Sequence, residues 1–551
     1  MGIARIICIR KSIPAAEEFM IRLTGVKAPL EYDETFLYRS AARALGIAPR
    51  DIVTARVSKR SVDARDKGNI HLTLAIDAKV RGDEAAIAAR CPKAKLIAEA
   101  PEIAIAPARL DVRPVIAGFG PAGLFAGLTL ALAGARPIIL ERGRPVDERA
   151  QDIELLQSNG RLDEESNVLF GEGGAGAFSD GKLTTGIKDE RCGWVLERLV
   201  EFGAPEETAY MAKPHIGTDL LRGVVRRMRE RIVELGGEVR FGSRLTDIIT
   251  SGDELRAVRI CADGEEYELE CRRLILACGH SARDTYAMLA RRGVVMRPKP
   301  FSIGARIEHR QSMINTSQYG RVAQDERLMR HLGAAEYKLS RQLKSGRGVY
   351  TFCMCPGGQV ICSASEPGMT ATNGMSLHAR DGANANSALL VSVTPEDFGA
   401  EGPLAGIEFQ RRWERAAFEL AGGGYRAPAQ RVEDFLKGRA SRGFGDVTPS
   451  YRPGVTPSDL AMCLPEFAVL SMREALPQMG RMLRGFDHPD AVLTGVETRS
   501  SAPVRMERGA DGCANIVGLY PTGEGAGWAG GIMSAAVDGI RQAQRVLGMD
   551  V

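Results

Sequence analysis

The clearest chemical signal in this 551-residue chain is a glycine-rich turn, Gly118-x-Gly120-x-x-Gly123. The first glycine permits a tight turn, the second lets backbone approach a pyrophosphate, and the third lets the following helix pack on the preceding strand. The N-terminus of that helix offers N–H groups and a partial positive charge to phosphates. Glu141 ends the next predicted strand, where a carboxylate accepts hydrogen bonds from a ribose hydroxyl. Together they predict a dinucleotide site.

Two later segments favour FAD over NAD as the dinucleotide. Residues 274–279 are predicted to form a strand that ends in a small residue and Gly279, where a chain passes close to a dinucleotide. Residues 523–532 form another glycine-rich turn, which follows a predicted strand and starts a helix. N–H groups at the start of that helix would stabilise negative charge on a reduced flavin ring.

A third glycine-rich segment, residues 171–183, contains a second GxGxxG pattern at Gly171 to Gly176. A separate NAD(P)H site is disfavoured, because a loop-like Phe-Ser-Asp-Gly-Lys sequence follows instead of a helix, and no strand ending in an acid comes at the proper distance. A purely structural loop is the second alternative. We favour a loop that lines the flavin.

Few side chains are candidates for work on a substrate. Arg499 lies in a polar cluster and could bind a substrate carboxylate through two hydrogen bonds, and Lys182 could do likewise. Both are therefore predicted catalytic residues, with a surface or ion-paired role as the alternative. Arg380 lies in a similar polar segment. His280 is predicted to be structural or solvent-facing rather than catalytic.

The cysteines do not predict a disulfide relay. Disulfide reductases with this kind of dinucleotide domain carry Cys-x-x-x-x-Cys soon after the first strand–helix–strand unit, and residues 150–185 contain no cysteine. Cys353 and Cys355 would share one face of a strand, and with Cys362 they could form a metal or redox site. Because nothing completes a four-ligand set, packing in a sheet is the favoured interpretation, and no metal is predicted.

The dinucleotide turn needs a strand, a helix and a second strand around it, and the sequence supplies them in that order. Strands are predicted at 114–117 and 137–140, with a helix of small residues at 122–133. Further elements are predicted on both sides of the turn. The predicted helices are 36–45, 83–90, 218–235, 405–420 and 531–547; the predicted strands are 3–9, 52–58, 70–78, 238–241, 274–277, 301–308, 349–353, 358–363 and 516–519, with paired strands within 245–276.

These elements predict an α/β fold with three parts. A small N-terminal α/β domain occupies residues 1–107, in which no chemical motif is found. A Rossmann-type FAD-binding domain is assembled from residues 108–300 and 490–551, and an inserted mixed α+β substrate domain, residues 301–489, covers the flavin.

Composition excludes several classes. The chain is 44% hydrophobic and 26% charged, with a net charge of +4, which is ordinary for a soluble protein. No signal peptide and no apolar run of membrane-spanning length is found, so no membrane contact is predicted. Eleven scattered cysteines indicate reduced thiols and a cytoplasmic location. The first 110 residues hold 19 Lys/Arg against 13 Asp/Glu, a mild excess that leaves nucleic acid disfavoured as a partner.

The same segments, with Glu141-Arg142-Gly143 and the stretch 352–358, resemble a family of FAD-dependent dehydrogenases that have an N-terminal α/β domain. The overall organisation is similar to that of the glutathione-reductase-like flavoproteins. The resemblance covers nearly the whole chain and is weakest in residues 1–107. It implies FAD as cofactor and brings no substrate with it.

On that resemblance, the turn meets the pyrophosphate, Glu141 holds the adenosine ribose, and Arg142 and the backbone of Leu245 lie near the adenine. Glu524 stands where such proteins usually have an aspartate on the ribityl hydroxyls, and Gly531 lies by the flavin pyrimidine. The predicted cofactor-binding residues are Gly118, Gly120, Pro121, Ala122, Gly123, Glu141, Arg142, Gly173, Gly174, Ala175, Ser179, Asp180, Gly181, Lys182, Leu245, Gly279, Glu524, Ala526, Gly530, Gly531 and Ile532.

The predicted function is hydride transfer between flavin N5 and a small organic molecule. NAD(P)H is a candidate for a transient electron donor to the flavin. Two alternatives belong to other classes: a flavoprotein that acts on RNA, and a flavin-bound sensor or scaffold without turnover. Salt-dependent tRNA binding would favour the first, and a flavin that no donor reduces would favour the second. The sequence carries no signal for an oligomeric state.

Overall fold

The computed structural model describes residues 19–98 and 103–549. They divide into two compact units: unit 1 ends at Ile103 and also takes in Ala209–Ala212, and unit 2 comprises Ala104–Thr208 and the chain from Lys213 onward. Within these ranges, none of the helices combines the length and apolar character needed to cross a membrane.

Unit 1 is a four-stranded antiparallel sheet with two helices. Its elements are β1 (Phe19–Ala28), α1 (Glu34–Leu45), β2 (Ile52–Asp63), β3 (His71–Val80), α2 (Glu84–Ala89) and β4 (Ala94–Ala98). The strand order is β2-β3-β1-β4. The Asp33 side chain caps α1 by accepting from the N–H of Phe36, and Gly46 ends the helix in a left-handed conformation.

The predicted helices and two of the predicted strands of unit 1 are confirmed. β1 and β4 were not predicted, because their sequences alternate poorly: polar residues interrupt β1, and β4 is a short edge strand. The strand predicted at residues 3–9 lies outside the described residues.

Unit 2 contains the remaining regular elements. Its strands are β5 (Val115–Ala117), β6 (Ile138–Leu140), β7 (Glu238–Arg240), β8 (Ser243–Ser251), β9 (Glu254–Ala262), β10 (Glu265–Glu270), β11 (Leu274–Leu276), β12 (Met296–Pro298), β13 (Phe301–Arg310), β14 (Ser340–Gln342), β15 (Gly348–Cys355), β16 (Gln359–Cys362), β17 (Thr372–Met375), β18 (Asn384–Val393), β19 (Ala427–Arg431), β20 (Val455–Pro457), β21 (Val492–Glu497), β22 (Val504–Met506) and β23 (Leu519–Pro521). Its helices are α3 (Pro121–Leu132), α4 (Val146–Asn159), α5 (Arg191–Glu201), α6 (Thr218–Glu234), α7 (Arg283–Arg291), α8 (Gln311–Tyr319), α9 (Glu326–Leu332), α10 (Ala405–Leu420), α11 (Val432–Lys437), α12 (Glu466–Met482) and α13 (Ile532–Val546).

A five-stranded parallel sheet holds the predicted dinucleotide unit. Its strand order is β23-β11-β5-β6-β7. β6 and β7 therefore lie on one side of β5, and the later strands β11 and β23 lie on the other side. The predicted order of strand, turn, helix and strand is thereby confirmed. α3 is buried from Ala122 to Ala131 and contacts α6 and α13, which is why its sequence is apolar all round.

A seven-stranded mixed sheet forms the second layer of unit 2, in the order β14-β15-β18-β13-β21-β19-β20. β13 lies at its centre, pairs with β18 over ten residues and is buried except at Arg310. β21 joins this sheet, although residues from 490 onward were predicted to return to the FAD domain. The α/β class is confirmed, and the three domain boundaries stay a prediction.

Candidate functional site

A large cavity in unit 2 opens at the carboxyl ends of the parallel strands. Residues that directly follow β5, β6, β11 and β23 all line it, and its space, counted to the open mouth, is about 1610 Å³. The strand order reverses between β5 and β11, and such a crevice is where open parallel sheets bind ligands.

Most of the predicted cofactor-binding residues lie on the wall of this cavity. They are Gly118, Gly120, Pro121, Ala122, Glu141, Arg142, Gly174, Ala175, Ser179, Asp180, Lys182, Leu245, Gly279, Glu524, Gly531 and Ile532.

The dinucleotide turn has the glycine geometry that the sequence predicts. Gly118 has φ 101°, and a Cβ there would lie 2.3 Å from the carbonyl oxygen of Ala277 at the end of β11. A Cβ on Gly123 would lie 1.9 Å from the carbonyl oxygen of Gly118. At Gly120, by contrast, a Cβ would meet only the Cα of Gly174, at an ordinary contact distance of 3.6 Å, and Gly120 lines the cavity. This cradle suits a pyrophosphate at the start of α3.

Glu141 is nearly fully buried, and its carboxylate organises the backbone around the turn. Oε2 accepts from the N–H of Phe119 at 2.8 Å, and Oε1 accepts from the N–H groups of Gly143 and Gly171 at 2.9 Å each. A carboxylate has about four acceptor positions, so one remains for the predicted ribose hydroxyl. The role in ribose binding stays a prediction.

Arg142 is held beside the cavity by two carboxylates. Its guanidinium lies 2.6 Å from Glu165 and 3.0 Å from Asp284, and its Cζ lies 4.2 Å from the centroid of the Phe170 ring. These contacts fix an aromatic ring and a planar cation at the same end of the cavity as Glu141. A flat purine is the kind of group that could stack there, in agreement with the predicted adenine site.

The loop over residues 171–181 packs directly on the turn. The N–H of Gly173 donates to the carbonyl of Phe119 at 2.9 Å, and a Cβ on Gly174 would lie 2.9 Å from the Cα of Gly120. The loop continues as a short 3-10 helix at Gly174–Phe178 instead of an α-helix. It therefore lines the same cavity as the turn, as predicted, and forms no second strand–turn–helix unit.

Asp180 lines the cavity, but its carboxylate is already engaged. Arg380 binds it through Nε and Nη2, and the Ser376 hydroxyl also donates to it. Burial alone would raise the pKa of Asp180, but Arg380 holds it below its usual value. Asp180 therefore fastens the loop to β17 and the segment behind it, and a direct contact with cofactor stays a prediction.

Glu524 faces the cavity close to the start of α13. Burial raises the pKa of Glu524 to about 7, against the opposing effects of Lys299 and a backbone hydrogen bond from Gly531. A protonated carboxyl group both donates and accepts hydrogen bonds, which suits the predicted contact with ribityl hydroxyls.

Five predicted cofactor-binding residues do not lie on the cavity wall: Gly123, Gly173, Gly181, Ala526 and Gly530. Their direct contact with cofactor stays a prediction. Gly123 and Gly173 pack closely within the turn and the loop, and Gly181 packs against Gly217. Ala526 is buried behind the cavity wall, whereas Gly530 is exposed outside it.

The wall opposite the turn comes from the loops and strands of the seven-stranded sheet and its neighbours. Lys182, which follows the 171–181 loop, also lines the cavity; its Nζ donates to the carbonyl of Met354 and lies 4.0 Å from Glu336, and its predicted catalytic role stays a prediction. Asn373, Glu497 and Ser500 line the same wall. Burial raises the pKa of Glu497, although Arg306 opposes the shift.

Arg499 lines the cavity, but the structure contradicts its predicted role as a free anion-binding group. Its Nε and Nη2 bind Glu414 at 2.9 and 2.8 Å, and Nη1 donates to Ser365 at 2.6 Å. Arg283 holds the same Glu414 carboxylate through two further hydrogen bonds. The two guanidinium nitrogens that a substrate carboxylate would need are therefore already bound to Glu414, and Arg499 is a positioning residue.

His280 was predicted to be structural or solvent-facing, yet it lines the cavity. Burial, together with Arg499 and Arg283, lowers the pKa of His280 to about 4, so the ring is neutral near pH 7. Its place directly after the glycine that ends β11 was the signal that could have found it, because that position faces the crevice of a parallel sheet.

Cys353 and Cys355 also line the cavity, whereas Cys362 is buried. Both lie in β15 of the seven-stranded sheet, and Cys355 is buried there, as the favoured interpretation of packing in a sheet predicts, whereas Cys353 is exposed to the cavity. No group of side chains that could hold a metal ion occurs among residues 19–98 and 103–549.

Comparison with known proteins supports the flavin. Residues 300–500 match a family model described as "FAD-dependent protein, C-terminal domain-like", and residues 20–79 match a domain family of unknown function. A 177-residue stretch, 30% of this chain and 30% of its relative, is 32% identical to the 12-dehydrotetracycline 5-monooxygenase/anhydrotetracycline 6-monooxygenase of Streptomyces rimosus.

Solved structures resemble the chain only distantly. The flavin-dependent brominase Bmp2 aligns over 79% of each chain with 13% identity and a TM-score of 0.35. A geranylgeranyl bacteriochlorophyll reductase-like protein of Thermoplasma acidophilum aligns over 78% of this chain and 76% of its own, with 11% identity and a TM-score of 0.34. Scores this low carry no conclusion.

An uncharacterized protein of Clostridium beijerinckii is 47% identical over 532 residues, which cover 96% of this chain and 98% of that protein. The match of residues 300–500 to an FAD-dependent family model confirms the predicted resemblance to FAD-dependent proteins. The likeness to glutathione-reductase-like flavoproteins stays a prediction. The chain belongs to the same family as the Clostridium beijerinckii protein.

Proposed function

We propose that the protein is an FAD-dependent oxidoreductase that transfers a hydride between the flavin and a small organic substrate. One observation carries the proposal. A single cavity is lined both by the dinucleotide turn with Glu141 and, on the opposite wall, by ionisable side chains that include Lys182. A cofactor end and a reaction end thus share one enclosed space.

At the cofactor end, the chain binds and orients. The cavity beside Gly120 and the N-terminus of α3 would receive the pyrophosphate. Glu141 has one acceptor position left for a ribose hydroxyl, and Glu524 would meet the ribityl chain. FAD, when bound, supplies the two-electron chemistry at its N5 atom.

At the reaction end, the chain would bind the substrate and hold protons. Lys182 offers a cation, although the Met354 carbonyl already accepts one of its three hydrogens. Neutral His280 offers one donor and one acceptor nitrogen, of which Nδ1 lies 2.9 Å from the Ser281 hydroxyl. Asn373 adds an amide. A substrate with a carboxylate or carbonyl oxygen suits this set.

The test is the visible spectrum of the purified protein before and after anaerobic addition of NADPH and then NADH. We expect a bound yellow flavin. Bleaching by one nucleotide would identify NAD(P)H as the electron donor, whereas an unbleached flavin would point to a dehydrogenase or oxidase driven by its organic substrate. A colourless protein that cannot be reconstituted with FAD would overturn the proposal.

A further inference from the structure

Two cysteines that are separated by one residue line the cavity from the same strand. Cys353 is exposed to the cavity and Cys355 is buried, and both lie on its wall in β15. Neither takes part in the function proposed above. A pair of thiols beside a cofactor that accepts two electrons raises the question of whether they can form a disulfide.

The pairing of β15 is irregular at the two cysteines. Phe352 pairs with Ala388 and Cys355 with Asn386, so three steps of β15 are set against two steps of β18. Cys353 has φ 41°, which marks the residue where this bulge turns the chain. Alternate residues of a regular strand lie roughly 6.7 Å apart, at the upper limit of the roughly 4.4 to 6.8 Å between Cα atoms that disulfides need. The bulge fits three residue steps of β15 into the length of two on β18, so the chain is compressed at this point.

Hydrogen bonds hold the two residues against each other. The Cys355 thiol donates to the carbonyl oxygen of Cys353 at 3.3 Å, which turns its sulfur toward its neighbour. Arg306 is fully buried and lies under the pair: its Nη2 donates to the Cys353 carbonyl at 3.0 Å and lies 3.7 Å from the Cys355 sulfur. Lys182 holds the residue between them through the Met354 carbonyl.

Desolvation and the neighbouring cations shift the pKa values of the two thiols in opposite directions. Desolvation of the Cys353 sulfur by the cavity wall, together with the Cys355 thiol, raises the pKa of Cys353 to about 12, although Lys182 and Arg306 oppose that shift. Burial also raises the pKa of Cys355. Oxidation of the two thiols to a disulfide releases two protons along with two electrons.

We propose that Cys353 and Cys355 form a redox-active dithiol that exchanges two electrons with the flavin and with a small thiol or disulfide substrate. In the oxidative direction, the two S–H bonds break and one S–S bond forms, and the two electrons and two protons pass to oxidised FAD. In the other half, two thiol groups of the substrate reduce the Cys353–Cys355 disulfide by thiol–disulfide interchange at the accessible Cys353 sulfur: the two substrate S–H bonds and the protein S–S bond break, a substrate S–S bond forms, and both cysteine thiols are regenerated.

This inference rests on the proposed function, because FAD is the electron acceptor. The two proposals can still be tested separately, because a flavin can be present and reducible while the two sulfurs stay inert. The absence of Cys-x-x-x-x-Cys after the first strand–helix–strand unit does not oppose it, because the dithiol comes from a different layer of unit 2.

The first experiment counts reducing equivalents. Air-oxidised holoprotein is titrated anaerobically with dithionite, and the uptake per bound FAD is compared with that of Cys353→Ser, Cys355→Ser and the control Cys261→Ser, whose thiol lies on β9 away from the cavity wall. We expect the wild type and the control to take up twice as many equivalents per FAD as the two cavity variants.

The second experiment reads the sulfurs directly and does not depend on turnover. The protein is denatured with iodoacetamide before and after reduction of its flavin, and the peptide that contains both cysteines is weighed. We expect an unalkylated, internally linked peptide before reduction and a doubly alkylated one afterwards.

The outcomes distinguish the two proposals. A yellow wild type that takes up no more equivalents than Cys353→Ser, with both thiols alkylated before reduction, would overturn the dithiol and leave the FAD oxidoreductase standing. Loss of FAD from the wild type would overturn both. If Cys355→Ser fails to fold because its side chain is buried, Cys353→Ser alone decides, since its side chain faces the cavity.

Discussion

At the scale of single residues, Gly120 is the position where cofactor binding can be tested with little effect on folding. Its φ is not positive, and an added methyl group would have no atom closer than 3.6 Å. We expect Gly120→Ala to leave the free energy of unfolding nearly unchanged and to weaken FAD binding by about tenfold, or about 1.4 kcal/mol, because the methyl group occupies the pyrophosphate cradle.

FAD titration of the apoprotein and urea unfolding measure the two effects of this substitution. Gly443→Ala is the matched control, since a Cβ there meets nothing within 4 Å and the residue lies off the cavity wall. Equal FAD affinity in the two variants would show that the pyrophosphate binds elsewhere.

Glu524 provides a second residue-scale prediction, on pH. Because burial raises the pKa of this carboxyl to about 7 from its usual 4.5, the protonated form favours the folded state. That stability is fully present below about pH 4.5 and is lost as the pH rises through 7. Glu524→Gln removes the charge, so we expect the variant to gain about 2 kcal/mol relative to wild type between pH 5 and pH 8.

Urea unfolding of the apoproteins at the two pH values measures this gain. The comparison is internal, since each protein serves as its own reference. A stability difference that stays constant with pH would mean that Glu524 is solvated like an ordinary surface carboxylate.

At the scale of elements, α10 is fastened to two loops of the cavity through one carboxylate. Glu414 is fully buried and binds Arg283 at the start of α7 and Arg499 after β21. Burial would raise its pKa, yet the two arginines hold it well below the usual value. We expect Glu414→Gln to lower the free energy of unfolding by about 3 to 5 kcal/mol, because it leaves buried guanidinium groups without their counter-ion.

The control on the same helix is Glu408→Gln, whose side chain is 63% exposed and pairs with Arg411. An exposed pair contributes little, so we expect a change of no more than about 0.5 kcal/mol. Thermal and urea unfolding of both variants decide, and equal effects would mean that the buried cluster does not stabilise this wall.

At the scale of the whole molecule, all the residues that line the cavity belong to unit 2. We therefore expect a chain that starts at residue 104 to fold and to retain FAD in the same ratio to protein as the full-length chain. Absorbance at the flavin band relative to the protein band measures the ratio, with the full-length chain purified in parallel. A colourless truncated protein that unfolds at the same denaturant concentration would show that unit 1 takes part in cofactor binding.

The sequence by itself determined the parts that depend on near neighbours. The turn at Gly118, the helix behind it and the strand that ends at Glu141 follow from residue types within about two dozen positions, because a strand–turn–helix unit is specified by local spacing and hydrophobic periodicity. The same holds for α13, whose sequence carries its own glycine-rich start. These predictions are confirmed, with shifts of only a few residues at the ends of elements.

The tertiary structure alone decided which distant side chains meet. Arg499 had the right chemistry for an anion site, but a carboxylate 85 positions away along the chain occupies it. The bulge that turns Cys353 and Cys355 toward the cavity depends on the pairing of β15 with β18. Such contacts follow from which strands pair and which helix covers them, and a buried charge takes whatever partner the packing brings within reach, so local spacing cannot predict them.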